Sequence, residues 1–222
     1  MFHGKHADTR RLERVAAWAG FELTLDQRVK LDRFASWLRE EAMVAGGIGP
    51  DESLRVVDRH VADSLAFAGA WNVQPRSVLD VGSGVGLPGI PLAITHAGTQ
   101  FTLLDRSGRR CALARRAIRI LDLRNTEVAH RDVARLTGQW PVVLFRASLP
   151  LDAALAVAGP LLEHGGCAIV ALSRREVPSF LPTAPPGTSL TVVRTDPGVL
   201  DSPAWLLRME RTEPHSKDGS RP

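Results

Sequence analysis

The apolar positions change rhythm near Ser77. Before it they recur every three or four residues between charges, the spacing of amphipathic helices. Residues 8–45 read as two such helices, "RLERVAAWAG" and "TLDQRVKLDRFASWLREEAMV", and in the second Val29, Leu31, Phe34, Trp37 and Leu38 mark the buried stripe. Thr24 is placed as its N-cap, with Gln27 three residues on completing a capping box. The stretch "GGIGPDES", 46–53, breaks the pattern and predicts a loop. A third helix is expected through "LRVVDRHVADSLAFAGAW".

After Ser77 the apolar residues come as short continuous runs separated by helical stretches. "SVLDVG", "QFTLLD", "TEVAH", "PVVLFRA" and "GCAIVAL" predict strands. Between them, Pro88–His96, "RSGRRCALARRAIRILDL" and "LDAALAVAGPLLEHG" predict helices. Such alternation implies a parallel sheet covered on both faces. "SLTVVRT" and "AWLLRMER" follow with only a loop between them, so they are expected to run antiparallel. The expected fold is α/β, a Rossmann-like, mostly parallel sheet with an antiparallel C-terminal strand, preceded by a helical extension. The boundaries are 1–75 for the extension packed on the core, 76–211 for the core, and 212–222 for a disordered polar tail.

Composition narrows this little. The chain has 222 residues, 44% hydrophobic and 23% charged, with a net charge of +4, which permits a polyanionic partner without demanding one. The two cysteines, Cys111 and Cys167, form no metal-type spacing, and both are expected as buried thiols in a reducing compartment. The first twenty residues are charged throughout, and the longest apolar run, "CAIVAL", is too short to cross a bilayer. A cytoplasmic monomer with no membrane association and no metal is the expectation.

The chemistry concentrates in "LDVGSGVGLPGIPLAI", Leu79–Ile94. Strand, glycine loop, helix, second strand and terminal acid make a nucleoside-cofactor pattern. Gly84, Gly86 and Gly89 even satisfy G-x-G-x-x-G. Asp105, closing the second strand, suits the two ribose hydroxyls. Asp80 separates two cofactor classes. Its carboxylate would repel a pyrophosphate at the next helix, yet attract a cation. S-adenosylmethionine carries a sulfonium and an ammonium and no phosphate. Gly82, Ser83, Gly84 and Gly86 would then allow close backbone approach. Alternatively, Asp80 merely caps the turn or the helix, and an NAD-binding protein stands as the competing class.

"RHVADSL", "VLDVGSGVGLPGIPLAI", "FTLLDRSGRR" and "FRA" together resemble the RsmG family, also called GidB, over about residues 25–175. The resemblance implies methyl transfer from S-adenosylmethionine to N7 of a guanine in 16S ribosomal RNA of the small subunit. It implies cofactor contacts at Gly82, Leu87 and Asp105, with Arg106 beside it. It further implies that Val133 and Ala134 lie beside the adenine, with Asp132 in place of the family's glutamate, and that Arg146 is the family arginine ending the fourth strand. Departures cluster on the substrate side: "GGIGPDES" for the usual "NLT", Pro141 near the usual Asp, "ASLP" after the arginine, and Ser173 and Arg174 for "KG". They leave a different small-molecule or RNA substrate as the alternative.

Guanine N7 already holds an in-plane lone pair, so no general base is required. Rate must come from alignment, and donors to the guanine O6 would supply it. Arg146 leads as catalytic candidate, followed by Arg59 and His60. Arg146 could instead pair with Asp132 or the cofactor carboxylate, Arg59 with Asp63, and His60 could simply pack. For RNA phosphates, the helix after the second strand offers seven arginines between Asp105 and Arg124, of which Arg109, Arg116 and Arg119 share one side. A plain solvated face is the alternative there.

Overall fold

A computed structural model describes residues 3–72, 74–172 and 182–212. Its centre is one seven-stranded sheet of order β3-β2-β1-β4-β5-β7-β6. The strands are β1 (Ser77–Val81), β2 (Gln100–Asp105), β3 (Thr126–His130), β4 (Trp140–Phe145), β5 (Leu162–Ala171), β6 (Thr188–Arg194) and β7 (Trp205–Arg211). The first five pair in parallel, and β7 runs antiparallel to both β5 and β6.

Alternate residues of the central strands point to opposite faces, and both faces are covered. Leu79, Val81, Val143 and Phe145 pack on one side with Ala154, Leu155 and Ala158 of α6 (Leu151–Leu161). Val78, Val142 and Leu144 pack on the other with Leu92 and Ala93 of α4 (Gly89–Thr95). Helix α5 (Gly108–Leu121) buries Ala114, Ala117 and Leu121 in a cluster shared with α1 (His3–Trp18) and α2 (Leu25–Trp37). That shared core seats the N-terminal helices on the sheet. Cys111 and Cys167 are free and buried.

Thr24 caps α2 in a complete capping box with Gln27. Three expectations change. Val29 is 56% exposed, because the buried stripe of α2 runs through Leu31, Phe34, Ala35 and Trp37 instead. The expected loop at 46–53 gives way to a short 3-10 turn at Pro50–Arg55, started by proline at its first position. The third helix is a chain of short turns: a wide π segment at Val56–Ala62, one α turn, α3 (Asp63–Ala66), and a 3-10 turn at Phe67–Ala70. The β-branched Val56, Val57 and Val61, and a Ser64 hydroxyl donating to the His60 carbonyl, compete with a regular ladder there. Of the expected tail only Thr212 lies among the described residues; it hydrogen-bonds the Gly187 carbonyl. No helix among the described residues is long and apolar enough to cross a membrane.

Candidate functional site

The carboxyl ends of β1, β2, β3 and β4 share one edge of the sheet, where an open crevice forms beside the point at which strand order reverses. A cleft of about 230 Å³ lies there. Its walls come from Val81 and Gly82 after β1, Leu104 to Arg106 after β2, and Arg110 of α5. Arg131 to Val133 after β3 and Ala147 to Leu149 after β4 complete it. Five of the twelve expected cofactor residues therefore line the cleft directly: Gly82, Asp105, Arg106, Asp132 and Val133.

The others stand behind it, each for a physical reason. Leu87 is buried in the helical core, and Gly86 is held against Ile90 of α4. Gly84 donates its N–H to Asp105 Oδ2 at 2.9 Å. Ala134 donates to Asp132 Oδ1 at 2.9 Å, which fixes the turn that presents Asp132 and Val133. Ser83 is buried behind the loop. Asp80 is 1% exposed, and its Oδ2 accepts the Gly89 N–H at 2.8 Å at the start of α4. The capping alternative thus holds for one of its two oxygens.

The loop's hydrogen bonds bear on which ligand it suits. The N–H groups of Gly82 and Ser83 both donate to the Leu104 carbonyl. Those of Gly86 and Leu87 donate to the Ser83 carbonyl, and that of Ile90 to the Gly86 carbonyl. Gly84 and Gly89 give theirs to the carboxylates of Asp105 and Asp80. A pyrophosphate cradle needs such donors free. Here these seven are consumed, and the buried side-chain atoms at and beside the loop without a hydrogen-bond partner include three oxygens, Asp80 Oδ1, Ser83 Oγ and Ser148 Oγ; His60 Nε2, deeper in the site, is a fourth such atom. Ser148 abuts Gly82 so closely that a side chain on Gly82 would collide with it, and Gly82 has φ of +70°. A loop with spent donors and orphaned acceptors fits a donor-bearing cation such as an ammonium.

Asp80 and Arg146 form the charged centre behind this loop. Burial pushes the Asp80 carboxyl up from 3.8 to about 7; the nearby Ser83 hydroxyl, the Gly89 N–H and the Arg146 charge pull the other way. Arg146 is itself lowered to about 10 by burial, against the pull of Asp80. Its Nη2 donates to the Arg59 carbonyl at 2.6 Å and faces His60 Nδ1 at 3.2 Å. On the far side of the ring, His60 Nε2 lies 3.4 Å from Glu52. Burial and the charges of Arg146 and Arg59 lower His60 to about 4. The neutral ring therefore accepts from Arg146 at Nδ1 and carries its proton on Nε2, toward Glu52. The three expected catalytic residues are thus together: Arg59 contributes its carbonyl, His60 steadies the guanidinium, and Arg146 is held between them.

Sequence reasoning missed Ala147, which lines the cleft with φ of +50°. A non-glycine residue held there is strained, and no sequence pattern announces it. Two of the expected RNA-contacting arginines are engaged within the protein. Arg116 is paired through both Nε and Nη2 with Glu41, and Arg109 donates to the Ala45 carbonyl. Both fasten α5 to the segment after α2. Arg119 remains exposed. Pro141 lies inside β4, where the register with β5 shifts, as a residue lacking an N–H donor requires. Ser173 and Arg174 lie outside the described residues.

Comparison with known proteins adds three findings. Residues 27–175 match the family model GidB, rRNA small subunit methyltransferase G. Proteins named ribosomal RNA small subunit methyltransferase G are similar in sequence. That of Methylococcus capsulatus is 35% identical over 191 residues, 85% of this chain and 92% of its own. That of Chlorobaculum tepidum is 34% identical over 73% of this chain and 76% of its own. That of Acidothermus cellulolyticus is 37% identical over 134 residues, a stretch spanning 60% of each. Among solved structures, TrmN from Thermus thermophilus superposes with a TM-score of 0.55 at 21% identity, over 68% of this chain and 48% of its own. The Escherichia coli putative methyltransferase yhhF superposes at 0.52 and 17% identity, over 70% and 88%. These two show the fold.

Proposed function

The chain belongs to the GidB family, rRNA small subunit methyltransferase G, and from that premise we propose that it methylates N7 of a guanine in 16S ribosomal RNA, using S-adenosylmethionine held in the cleft at the carboxyl edge of the sheet. The observation that carries the cofactor assignment is the loop's hydrogen-bond balance: seven of its N–H groups are spent within the protein, and the side-chain oxygens Asp80 Oδ1 and Ser148 Oγ are buried beside it without a partner. When bound, S-adenosylmethionine supplies an electrophilic methyl group on a sulfonium.

Each residue then has a task. Asp105 takes the ribose hydroxyls, held rigid by the N–H groups of Gly84 and Ser107. Asp132 and Val133 flank the adenine. Gly82 lets the backbone approach where any side chain would close the cleft against Ser148. Ser83 and Ser148 accept from the ammonium, and the Asp80 charge favours the cationic end. Arg146 aims the guanine: with Nη2 held by Arg59 and His60, its Nε and Nη1 remain for O6. N7 would form its bond to the methyl carbon with its own lone pair as the carbon–sulfur bond breaks and the neutral thioether leaves, so no group of this chain needs to move a proton. The contribution is orientation, which holds N7, methyl and sulfur in line.

Calorimetry separates this from a dinucleotide site. S-adenosylhomocysteine is expected to bind with a micromolar Kd and NAD not to bind. NAD binding without S-adenosylhomocysteine binding would refute the assignment.

A further inference from the structure

The arginines near the cleft divide into two groups by what they touch. Arg109, Arg115 and Arg116 all project from α5, and each is engaged within the protein, by Ala45, Val128 and Glu41 respectively. They hold the fold together. Arg106, Arg110 and Arg131 are exposed, line the cleft, and among the described residues their guanidinium groups have no ion-pair or hydrogen-bond partner. Asp105 and Asp132 line the same cleft, but neither is ion-paired with these three guanidinium groups, so three positive charges stand open to solvent at one site. Such an arrangement suits an incoming polyanion.

From this we infer that the mouth of the cleft, through Arg106, Arg110 and Arg131, grips the phosphate backbone of the RNA strand that delivers the target guanine. The inference rests on the methyltransferase reading above and names the surface that reading needs. Geometry favours this rim over the outer face of α5. Arg110 lies in the first turn of α5, at the edge where β1 to β4 end. Arg119 lies nine residues further on, about 14 Å along the helix axis and away from the cleft. A guanine delivered to the cleft brings its flanking phosphates to the rim first. Arginine forks suit phosphate oxygens and read no sequence, so the rim supplies register while the cleft selects the base.

The test compares the salt dependence of binding to 16S ribosomal RNA for three proteins: the wild type, the double variant Arg110→Ala/Arg131→Ala, and Arg119→Ala. Removing two phosphate contacts should reduce the slope of log K against log salt by about 1.5. Arg119→Ala, which removes an equally exposed charge elsewhere, should leave the slope unchanged. Circular dichroism and the melting temperature report that the double variant is folded, and S-adenosylhomocysteine should still bind to it. An unchanged slope in the double variant, an equal reduction in Arg119→Ala, or loss of S-adenosylhomocysteine binding would each overturn the rim as an RNA surface. Absence of salt-dependent RNA binding by the wild type would instead remove the ribosomal reading beneath it, and the rim with it.

Discussion

Arg146→Ala is expected to lower the rate of methyl transfer about 10²–10³-fold, the range seen when one preorganised donor is removed. The size follows from the way the guanidinium is held. Burial has already charged the fold for desolvating it, and its Nη2 is fixed by the Arg59 carbonyl and by a neutral His60. It therefore meets a substrate without reorganising. Arg146→Lys should not rescue the rate, because an ammonium cannot hold that carbonyl and that ring nitrogen while presenting further donors in a plane. The loss should appear in kcat more than in KM, since alignment matters most at the transition state. Single-turnover kinetics with labelled S-adenosylmethionine measures it. A rate within threefold of wild type would show that the guanine is aimed by something else.

Asp80 carries two roles that two variants should split. Its Oδ2 satisfies the buried Gly89 N–H, so Asp80→Ala leaves that donor unpaired and should cost about 1–3 kcal/mol of stability. Asp80→Asn retains an acceptor for Gly89 and should recover most of that stability. Neither variant has the charge, so both should bind S-adenosylmethionine at least tenfold more weakly. The loss should be smaller for S-adenosylhomocysteine, which lacks the sulfonium. The wild type should also respond to pH. A carboxyl raised from 3.8 to about 7 contributes stability that is fully present below pH 3.8 and is lost as the pH rises through about 7. A bound cation favours the ionised form, so S-adenosylmethionine should bind more tightly at pH 8 than at pH 6. In Asp80→Asn that difference should vanish. Calorimetry at the two pH values decides it. A pH-independent wild type, or wild-type affinity in Asp80→Asn, would contradict the electrostatic role.

The parallel core was legible because its strands are buried on both faces, which leaves continuous apolar runs such as "PVVLF" that loops and surface helices do not have. Thr24 and Gln27 were legible because a capping box is a local contact. What failed was not local. Arg116 was read as a phosphate contact or a solvated side chain, and neither reading could show its pairing with Glu41, 75 residues away. Val29 looked like a core residue because helical spacing gives a stripe but not its edges. At the cleft, Gly82 and Asp105 followed from the glycine loop and the strand end, whereas Asp132 and Val133 were implied only by the family resemblance. The glycines could not show which backbone donors were already spent, and that distinction bears on whether the ligand is an anion or a cation. The left-handed Ala147 had no signal at all.

Nucleoside mass mapping tests the central claim most directly: the purified protein is incubated with methyl-labelled S-adenosylmethionine and small-subunit RNA from cells lacking this activity. The account predicts a single label, on N7 of one guanine, that appears far more slowly when Arg146 is replaced by alanine. No transfer, or a label on any other atom, would contradict it.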